Sequence, residues 1–405
     1  MGRQKSDREL EQLQQNIEYS EQKLRVFVAD ILPADLEIRQ NMADRMIELE
    51  NLVNTYGGVV IIKHIQNKSV PDYNTFIGEG RLNEIIDEMK REEANILILG
   101  NILKPRQIYT LNEKLKQIGA KAWDRIDLIL KIFERNAFSK EAKLQIELAA
   151  IKHMGPRIFD MGMELGKQGG QGKGETNTEI MKRHLATREK HIKEELDHFS
   201  KVRVQHRQSR DRKGLKTVGV VGYTNAGKST LTNSLTKKGV LAEDKLFATL
   251  GTSVGKMFIE ASYEEATGKY IAPREVLIND TIGFIRELPP KLIDAFKSTL
   301  EDSIESDILL HVVDASDPKI EVKLKVVDDI LFSIGANQKK IYVFNKIDGL
   351  EKGEFKLEID TEVKIYKNKL EYLSEKFSYL DPIFISAFEK IGLDELKIKI
   401  IENLS

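Results

Sequence analysis

Eight consecutive residues, Gly222 to Ser229, combine glycine, lysine and serine at the spacing that a phosphate cradle requires. The run Gly-Tyr-Thr-Asn-Ala-Gly-Lys-Ser follows an apolar segment and precedes a helical pattern, so it predicts a strand, a tight turn and a helix. Glycine lets the backbone curl until successive N–H groups point at phosphate oxygens. We expect Lys228 to reach the β- and γ-phosphates and the Ser229 hydroxyl to bind Mg²⁺.

Three further motifs follow apolar strands. Asp280-Thr-Ile-Gly283 offers a carboxylate for the Mg²⁺ shell and a glycine N–H for the γ-phosphate. In Asn345-Lys-Ile-Asp348, the carboxylate of Asp348 can accept hydrogen bonds from the N1–H and the exocyclic amine of guanine, two donors that adenine lacks. Ser386-Ala387 can close over the base. Because ligands lie at the carboxyl ends of strands in open α/β sheets, these motifs together predict a GTP-binding domain.

Composition limits what the rest of the chain can be. The 405 residues are 41% hydrophobic, which predicts two or three domains with sizeable cores. The net charge of −1 gives no overall preference for nucleic acid or membrane, and the lack of cysteine excludes disulfides and thiol catalysis. No apolar run has the length of a membrane span, so we expect a cytoplasmic monomer without membrane insertion.

Short β-branched runs alternate with helical patterns before residue 135. Such a βαβα rhythm predicts a small, mostly parallel sheet covered by helices. The predicted strands are Arg25–Val28, Val59–Ile62, Asn95–Leu99 and, more weakly, Ala120–Trp123, and the predicted helices are Ala34–Thr55, Arg81–Glu92 and Pro105–Ile118.

The middle of the chain predicts a helical hairpin. A helical stretch from Asp127 to His153 is followed by six glycines between Gly162 and Gly174, and a capping-box pattern at Thr176–Glu179 starts another long helix. The glycine-rich segment is either a linker or, since lysines are interleaved, a place where the backbone approaches phosphate closely.

The end of that second helix is basic. Five arginines and lysines lie between Lys201 and Lys216, against the single acid Asp211. Cations are favourable at a helix C-terminus, so a solvated helix end explains the cluster. A patch that contacts RNA phosphates explains it equally well on these residues alone.

With these segments assigned, the chain closely resembles the HflX family of translational GTPases from about Leu24 to its C-terminus. The resemblance depends on several motifs beyond the phosphate loop. They are Leu246–Leu250 and Asp280–Pro289 at the two switches, and Phe76–Ile85, Asp127–Phe133, Lys143–Leu148 and Gly172–Thr176 outside the GTPase domain.

The resemblance implies an α/β protein with a small N-terminal α/β domain (residues 1–135), a helical hairpin with a glycine-rich tip (136–213) and a Ras-like P-loop GTPase domain (214–405). In the last domain a mostly parallel sheet carries helices on both faces. The resemblance also implies binding to the large ribosomal subunit and its RNA, and separation of stalled ribosomes into subunits during stress. It therefore favours the RNA interpretation of the basic and glycine-rich segments.

The family pattern assigns roles to individual residues of this sequence. Mg²⁺ is expected at Ser229 and Thr249. The residues expected to contact GTP are Gly222, Tyr223, Thr224, Asn225, Ala226, Gly227, Lys228, Ser229, Phe247, Ala248, Thr249, Leu250, Gly251, Asp280, Thr281, Ile282, Gly283, Asn345, Lys346, Ile347, Asp348, Ser386, Ala387 and Phe388. The candidates for RNA contacts are Lys167, Lys173, Arg203, Arg207 and Arg210.

Two positions bear on hydrolysis. Phe284 stands where a glutamine commonly orients the attacking water, and its ring can neither donate nor accept a hydrogen bond, so we expect slow intrinsic hydrolysis. Asn225 is the P-loop residue that accompanies a bound K⁺ in several GTPase families, which suggests K⁺ as a second cation. The segment Thr249–Ser253 departs from the family pattern, and Thr252 is an alternative Mg²⁺ ligand ranked below Thr249.

Two other function classes share the nucleotide motifs. One is a GTPase of ribosome assembly or RNA modification, which would not need the N-terminal signatures. The other is a ribosome-binding module with an occupied but nearly inactive GTP site, which Phe284 keeps open.

Overall fold

The computed structural model describes residues 24–33, 39, 41–137, 139–166, 177–236, 253–259, 262–264, 269–271, 273–281, 283–285, 292, 305–350, 353, 355–359 and 362–404. The chain divides into two compact units. One comprises Met1–Arg135 with Ala150–Thr187, and the other comprises Asn136–Ala149 with Arg188–Ser405. Among the described residues, no helix combines the length and the apolar character needed to cross a bilayer.

The first unit contains a four-stranded parallel sheet in the order β2-β1-β3-β4. Its elements confirm the βαβα rhythm, with α3 continuing as a 3₁₀ turn at Lys116–Ile118. They are β1 (Leu24–Ile31), α1 (Met42–Tyr56), β2 (Gly58–Gln66), α2 (Glu79–Arg91), β3 (Ile96–Leu99), α3 (Pro105–Leu115), β4 (Lys121–Trp123) and α4 (Arg125–Asn136).

Helix α2 illustrates why these segments pack as they do. Its four buried side chains, Leu82, Ile85, Ile86 and Met89, recur at the three- and four-residue spacing of one helix face. That face packs into the same hydrophobic cluster as Phe27 of β1 and its neighbours on β3. The apolar stripe and the apolar strands therefore account for the core of the first unit.

Two long helices form the middle of the chain, α5 (Lys140–Gly166) and α6 (Asn177–Arg212). Arg188 makes a bidentate ion pair with Glu147, with Nε–Oε1 and Nη2–Oε2 distances of 2.6 and 2.7 Å. Arg203 pairs with Glu141. As the residue number rises along α6 it falls along α5, so the start of α5 lies antiparallel to α6. The hydrogen bond from Arg188 lowers the pKa of the Glu147 carboxyl.

The second unit contains a six-stranded sheet in the order β14-β11-β10-β5-β9-β6, in which only the β6–β9 pairing is antiparallel. Two separate hairpins, β7–β8 and β12–β13, and two 3₁₀ turns, Ile347–Gly349 and Ser378–Leu380, accompany it. The elements are β5 (Lys216–Gly222), α7 (Lys228–Leu235), β6 (Ser253–Ile259), β7 (Ser262–Glu264), β8 (Lys269–Ile271), β9 (Arg274–Asp280), β10 (Ile308–Asp314), α8 (Ile320–Ser333), β11 (Lys339–Asn345), β12 (Phe355–Ile359), β13 (Glu362–Tyr366), α9 (Lys369–Lys376), β14 (Ile383–Phe384) and α10 (Leu393–Leu404).

Strand β5 lies where the strand order reverses. The chain places β9 on one side of β5 and then β10 on the other. Strands β5, β9 and β10 are almost entirely buried, as expected for parallel strands covered on both faces. Ligands of open α/β sheets bind outside the carboxyl ends of the strands at such a reversal point. The predicted GTPase fold is confirmed, and this rule locates the ligand site at the carboxyl ends of β5, β9, β10 and β11.

Candidate active site

The turn between β5 and α7 is built for close approach of a phosphate group. Gly222 has a φ of +153°, and a Cβ there would lie 2.3 Å from the carbonyl oxygen of Val312. Gly227 has a φ of +90°, and its Cβ would lie 2.2 Å from Nδ2 of Asn345. Both positions therefore require glycine on conformational and on steric grounds. The N-terminus of α7 follows directly, which gives the turn the favourable dipole of a helix start.

Lys228 points back into this turn. Its side chain is 7% exposed, and Nζ donates a 2.8 Å hydrogen bond to the carbonyl oxygen of Tyr223. Burial lowers the pKa of the Lys228 ammonium to about 8, an effect that the Asp280 carboxylate opposes and Lys346 adds to. A bound phosphate would favour the charged form again, because an opposite charge at close range raises the pKa of an amine.

Ser229 and Asp280 form the candidate magnesium site. The Ser229 hydroxyl donates a 2.8 Å hydrogen bond to Oδ2 of Asp280, and the carboxylate is fully buried at the end of β9. Hydroxyl and carboxylate oxygens suit Mg²⁺, which is usually held by one or two protein oxygens together with substrate phosphates. The pair therefore fits the ion, which when bound would neutralise charge on the phosphate oxygens.

The start of the second switch lies against the turn Gly222–Gly227, which we call the phosphate turn. A Cβ on Gly283 would lie 2.8 Å from Nζ of Lys228 and 2.8 Å from Cγ2 of Thr224. Phe284 donates its N–H to the carbonyl oxygen of Gly222 at 3.1 Å and accepts the N–H of Thr224 at 2.7 Å. The ring of Phe284 is buried and has no donor or acceptor, so the side chain offers no hydrogen bond to a substrate water.

The hydroxyl of Thr281 is engaged within the sheet. Its hydroxyl donates a 2.6 Å hydrogen bond to the carbonyl oxygen of Val220 in β5, and the residue is completely buried. The side chain thus joins the ends of β5 and β9 and does not point into the phosphate turn. It holds in place the backbone that leads to Gly283.

Asn345 links the phosphate turn to the second loop predicted to contact the base, at Ala387. Its Nδ2 donates to the carbonyl oxygen of Ala226 at 3.0 Å, and its Oδ1 accepts the N–H of Ala387 at 2.9 Å. The residue is only 2% exposed. The amide predicted to contact the base is therefore occupied in joining two loops.

The remaining base-loop residues surround this link. Lys346, with a left-handed φ of +66°, places Nζ 2.8 Å from Oδ2 of Asp314. Asp348 is exposed in the middle of the 3₁₀ turn that follows. The backbone N–H of Ile347 lies 3.3 Å from the carbonyl oxygen of Ile385. These contacts bring the two base-recognition motifs to one edge of the sheet.

The second loop predicted to contact the base, residues 386–391, is held together by hydrogen bonds between its two ends. Ser386 and Ile391 exchange two backbone hydrogen bonds, and the buried Ser386 hydroxyl accepts the N–H of Glu389. Phe388 projects from this loop with 77% of its surface exposed.

Two residues of the site were missed by the sequence reasoning. Asp314, at the end of β10, pairs with Lys346, and its other oxygen accepts the Ser316 hydroxyl at 2.6 Å. The hydroxyl of Ser234 in α7 lies 2.8 Å from the carbonyl oxygen of Ala387. Asp314 had a signal, since it ends an apolar strand in the same way as Asp280. Ser234 had none.

Several predicted residues lie outside the described part of the chain. They are Phe247, Ala248, Thr249, Leu250 and Gly251 of the first switch, with Thr252, then Ile282, and the lysines Lys167 and Lys173. Of the predicted RNA contacts on α6, Arg203 is paired with Glu141, Arg207 is paired with Glu305, and Arg210 is half-buried.

A group of potential metal ligands also occurs in the first unit. The candidate ligand atoms of Asp124, Asp127 and His153 lie within 4.8 Å of one another. The two carboxylates accept each other's backbone N–H at the start of α4, at 2.9 and 3.0 Å. His153 Nε2 lies 3.4 and 3.3 Å from them. Reciprocal capping with an adjacent histidine explains this group without an ion.

Three family models, all of GTPases, match successive segments of the chain. Residues 43–134 match the model described as GTP-binding GTPase N-terminal, 136–210 the GTP-binding GTPase middle region, and 217–346 the 50S ribosome-binding GTPase. The solved complex of SsGBP with GDP is 27% identical, with a TM-score of 0.52 over 94% of this chain and 98% of that one.

Two similar proteins are both named GTPase HflX. The GTPase HflX of Caldanaerobacter subterraneus subsp. tengcongensis is 40% identical over 354 residues, which is 86% of this chain and 74% of that protein. The GTPase HflX of Lacrimispora saccharolytica is 37% identical over 387 residues, which is 94% of this chain and 87% of that protein. With these identities over most of its length, the chain belongs to the HflX family of GTP hydrolases.

Proposed function

We propose that this GTPase binds the large ribosomal subunit in its GTP form and separates stalled ribosomes into subunits in the cytoplasm. The observation that carries the proposal is the match of residues 217–346 to a family described as 50S ribosome-binding GTPase. Relatives named GTPase HflX match most of the chain as well. A GTPase of ribosome assembly or RNA modification would need only the nucleotide domain.

The shape of the middle segment supports ribosome binding. Helix α6 has 36 residues and is therefore about 54 Å long, with polar residues over most of its surface. We propose domain boundaries at 135 and 213 and a glycine-rich tip that approaches ribosomal RNA through Lys167 and Lys173. Arg203 and Arg207 are engaged in ion pairs within the protein, so RNA phosphates would share their guanidinium groups with Glu141 and Glu305 or displace those carboxylates.

In the nucleotide site, we propose that phosphates contact residues 222–229, 247–251 and 280–283. Guanine would contact Lys346, Asp348 and the loop 386–388. Mg²⁺ would contact Ser229 and Thr249, with the Asp280 carboxylate in the Mg²⁺ shell. The buried Lys228 and the glycine turn would stabilise charge on the transferred γ-phosphoryl group and on the GDP leaving group. Phe284 provides no hydrogen bond to water, so hydrolysis is expected to become fast only when the ribosome orders the switches.

The decisive experiment mixes intact ribosomes with the protein and a non-hydrolysable GTP analogue and separates the particles on a density gradient. We expect a shift from intact ribosomes to subunits, with the protein on the large subunit, and little effect with GDP. Unchanged ribosomes with no bound protein would contradict the proposal. Protein that binds only free assembly intermediates would favour the assembly alternative.

Turnover measurements separate the active switch from the nearly inactive module. We expect large subunits to accelerate GTP hydrolysis by at least about a hundredfold, the lower end of what a supplied catalytic group contributes. Equal rates with and without subunits would support action by occupancy alone.

Asn225 carries the K⁺ part of the proposal. It is exposed in the phosphate turn with a left-handed φ of +62°, a conformation that asparagine tolerates better than most residues. Its side chain is therefore available to a cation beside the phosphates. Hydrolysis compared in potassium and sodium buffers tests this, and equal rates would dismiss K⁺.

A further inference from the structure

The aromatic ring of Tyr223 is held from outside the nucleotide motifs. Tyr223 is the second residue of the phosphate turn and is only 6% exposed. The ammonium group of Lys323, the fourth residue of α8, lies 4.8 Å from the centre of this ring. A cation at this distance over an aromatic face is attracted by the ring quadrupole. The side chain of Lys323 thus connects helix α8 to the phosphate turn.

The lysine is itself held in place. Lys323 forms an ion pair with Asp317, whose other carboxylate oxygen accepts the backbone N–H of Lys319 at 2.8 Å. The side chains of Lys323 and Asp317 are 29% and 15% exposed. Partial burial strengthens a cation–π contact, and the fixed carboxylate reduces the freedom that a long lysine side chain would otherwise keep.

The backbone of Tyr223 serves two parts of the active site at once. Its carbonyl oxygen accepts the ammonium of Lys228 at 2.8 Å. Tyr223 also forms a parallel bridge with Phe284, through the hydrogen bonds of Phe284 to Gly222 and Thr224. A shift of Tyr223 would therefore move both the phosphate lysine and the first residues of the second switch.

We propose that Lys323, fixed by Asp317, is a positioning residue for GTP binding that acts through Tyr223. Because Gly283 and Phe284 begin the switch that responds to the terminal phosphate, loss of this contact should weaken GTP binding more than GDP binding. The inference depends on the GTP hydrolase activity and is independent of the ribosome proposal.

The test measures the affinity of purified protein for GDP and for a non-hydrolysable GTP analogue by calorimetry. In Lys323→Met, which keeps the apolar stem, we expect about three- to tenfold weaker binding of the GTP analogue and less than about twofold weaker binding of GDP. Lys323→Arg should restore the affinity, since arginine also interacts with aromatic faces. Lys325→Met, on the exposed face of the same helix, is the matched control and should bind like the parent.

A double-mutant cycle distinguishes positioning from a general contribution to the stability of α8. If Lys323 acts through the ring, Lys323→Met should have little further effect on GTP-analogue affinity in a Tyr223→Leu background. Additive losses, or equal losses for GDP and the GTP analogue, would overturn the proposal. A lower melting temperature with unchanged affinities would do the same. Should Lys323→Met not fold, Asp317→Asn keeps the lysine while loosening it, and it must then weaken GTP-analogue binding by about two- to threefold.

Discussion

Asn345 provides the sharpest test of how the site is assembled. The family pattern treats this residue as a base contact, whereas in the structure its amide joins the carbonyl oxygen of Ala226 to the N–H of Ala387. If it acts by joining two loops, its loss should weaken binding of any nucleotide that needs both loops. If it acts on the base, its loss should alter the discrimination between bases.

The size of the effect follows from the two hydrogen bonds. Asn345→Ala leaves one carbonyl and one N–H without their partner, in surroundings where the native residue is 2% exposed. A buried backbone group without a partner costs about 1–3 kcal/mol. Without nucleotide the loops can separate and hydrate these groups, so the cost falls on the bound state. We therefore expect a loss of about 2–6 kcal/mol for the two groups together, or about 30- to 20,000-fold weaker GDP binding.

Calorimetry with GDP and IDP separates the two explanations. IDP lacks the exocyclic amine expected to contact Asp348, so the ratio of the two dissociation constants reports base recognition. In Asn345→Ala we expect both dissociation constants to rise while their ratio stays within about twofold of the parent value. Asn337→Ala, an exposed asparagine just before β11, is the control and should bind both nucleotides normally. Normal GDP affinity in Asn345→Ala, or a collapse of the GDP preference alone, would refute the reasoning.

Three other predictions follow from single contacts. Gly227→Ala should abolish measurable nucleotide binding and lower the free energy of unfolding by about 1–2 kcal/mol, because φ is +90° and the new Cβ would lie 2.2 Å from Asn345. Gly214→Ala is the control for backbone strain alone: its φ is +64° but the space around its Cβ is open, so it should lose some stability and bind nucleotide normally. Burial lowers the pKa of His311 from 6.5 to about 4, so the unfolded chain binds a proton that the folded chain refuses. The contribution of neutral His311 to the free energy of unfolding should therefore be fully present above pH 6.5 and fall by up to about 3 kcal/mol as the pH approaches 4. In denaturant unfolding, the free energy of unfolding of His311→Gln should decrease less over this pH range than that of the parent. Arg188→Ala breaks an exposed ion pair and should cost less than about 1 kcal/mol, a melting shift of no more than about 4 °C; a larger shift would mean that the pair is more than a surface contact.

Contiguous motifs were recoverable from the sequence, and contacts between distant side chains were not. The strands before Asp280 and Asn345 are short apolar runs that end in polar residues, so both their type and their ends could be predicted. The Asp314–Lys346 pair joins two neighbouring strands, and nothing in either segment announces the partner. At Thr281 the motif identifies the residue, whereas the direction of its hydroxyl depends on Val220 in another strand and could be read only from the structure.

The described hydrogen bonds around the nucleotide site fall into two sets. One is a ring of contacts, called the Asn345 circuit below, that starts and ends at the phosphate turn, and the other joins the second switch to that turn. Ala226 is bonded to Asn345, Asn345 to Ala387, and Ala387 to Ser234 in α7, the helix that begins just after Ala226. The second switch is joined to the phosphate turn by the backbone hydrogen bonds of Phe284. Loss of the terminal phosphate can therefore change the Phe284 contact while the circuit around the base and the remaining phosphates stays intact. A nucleotide site built in this way should change shape on hydrolysis and still retain GDP, so release of the product becomes a separate step that needs the Asn345 circuit to open.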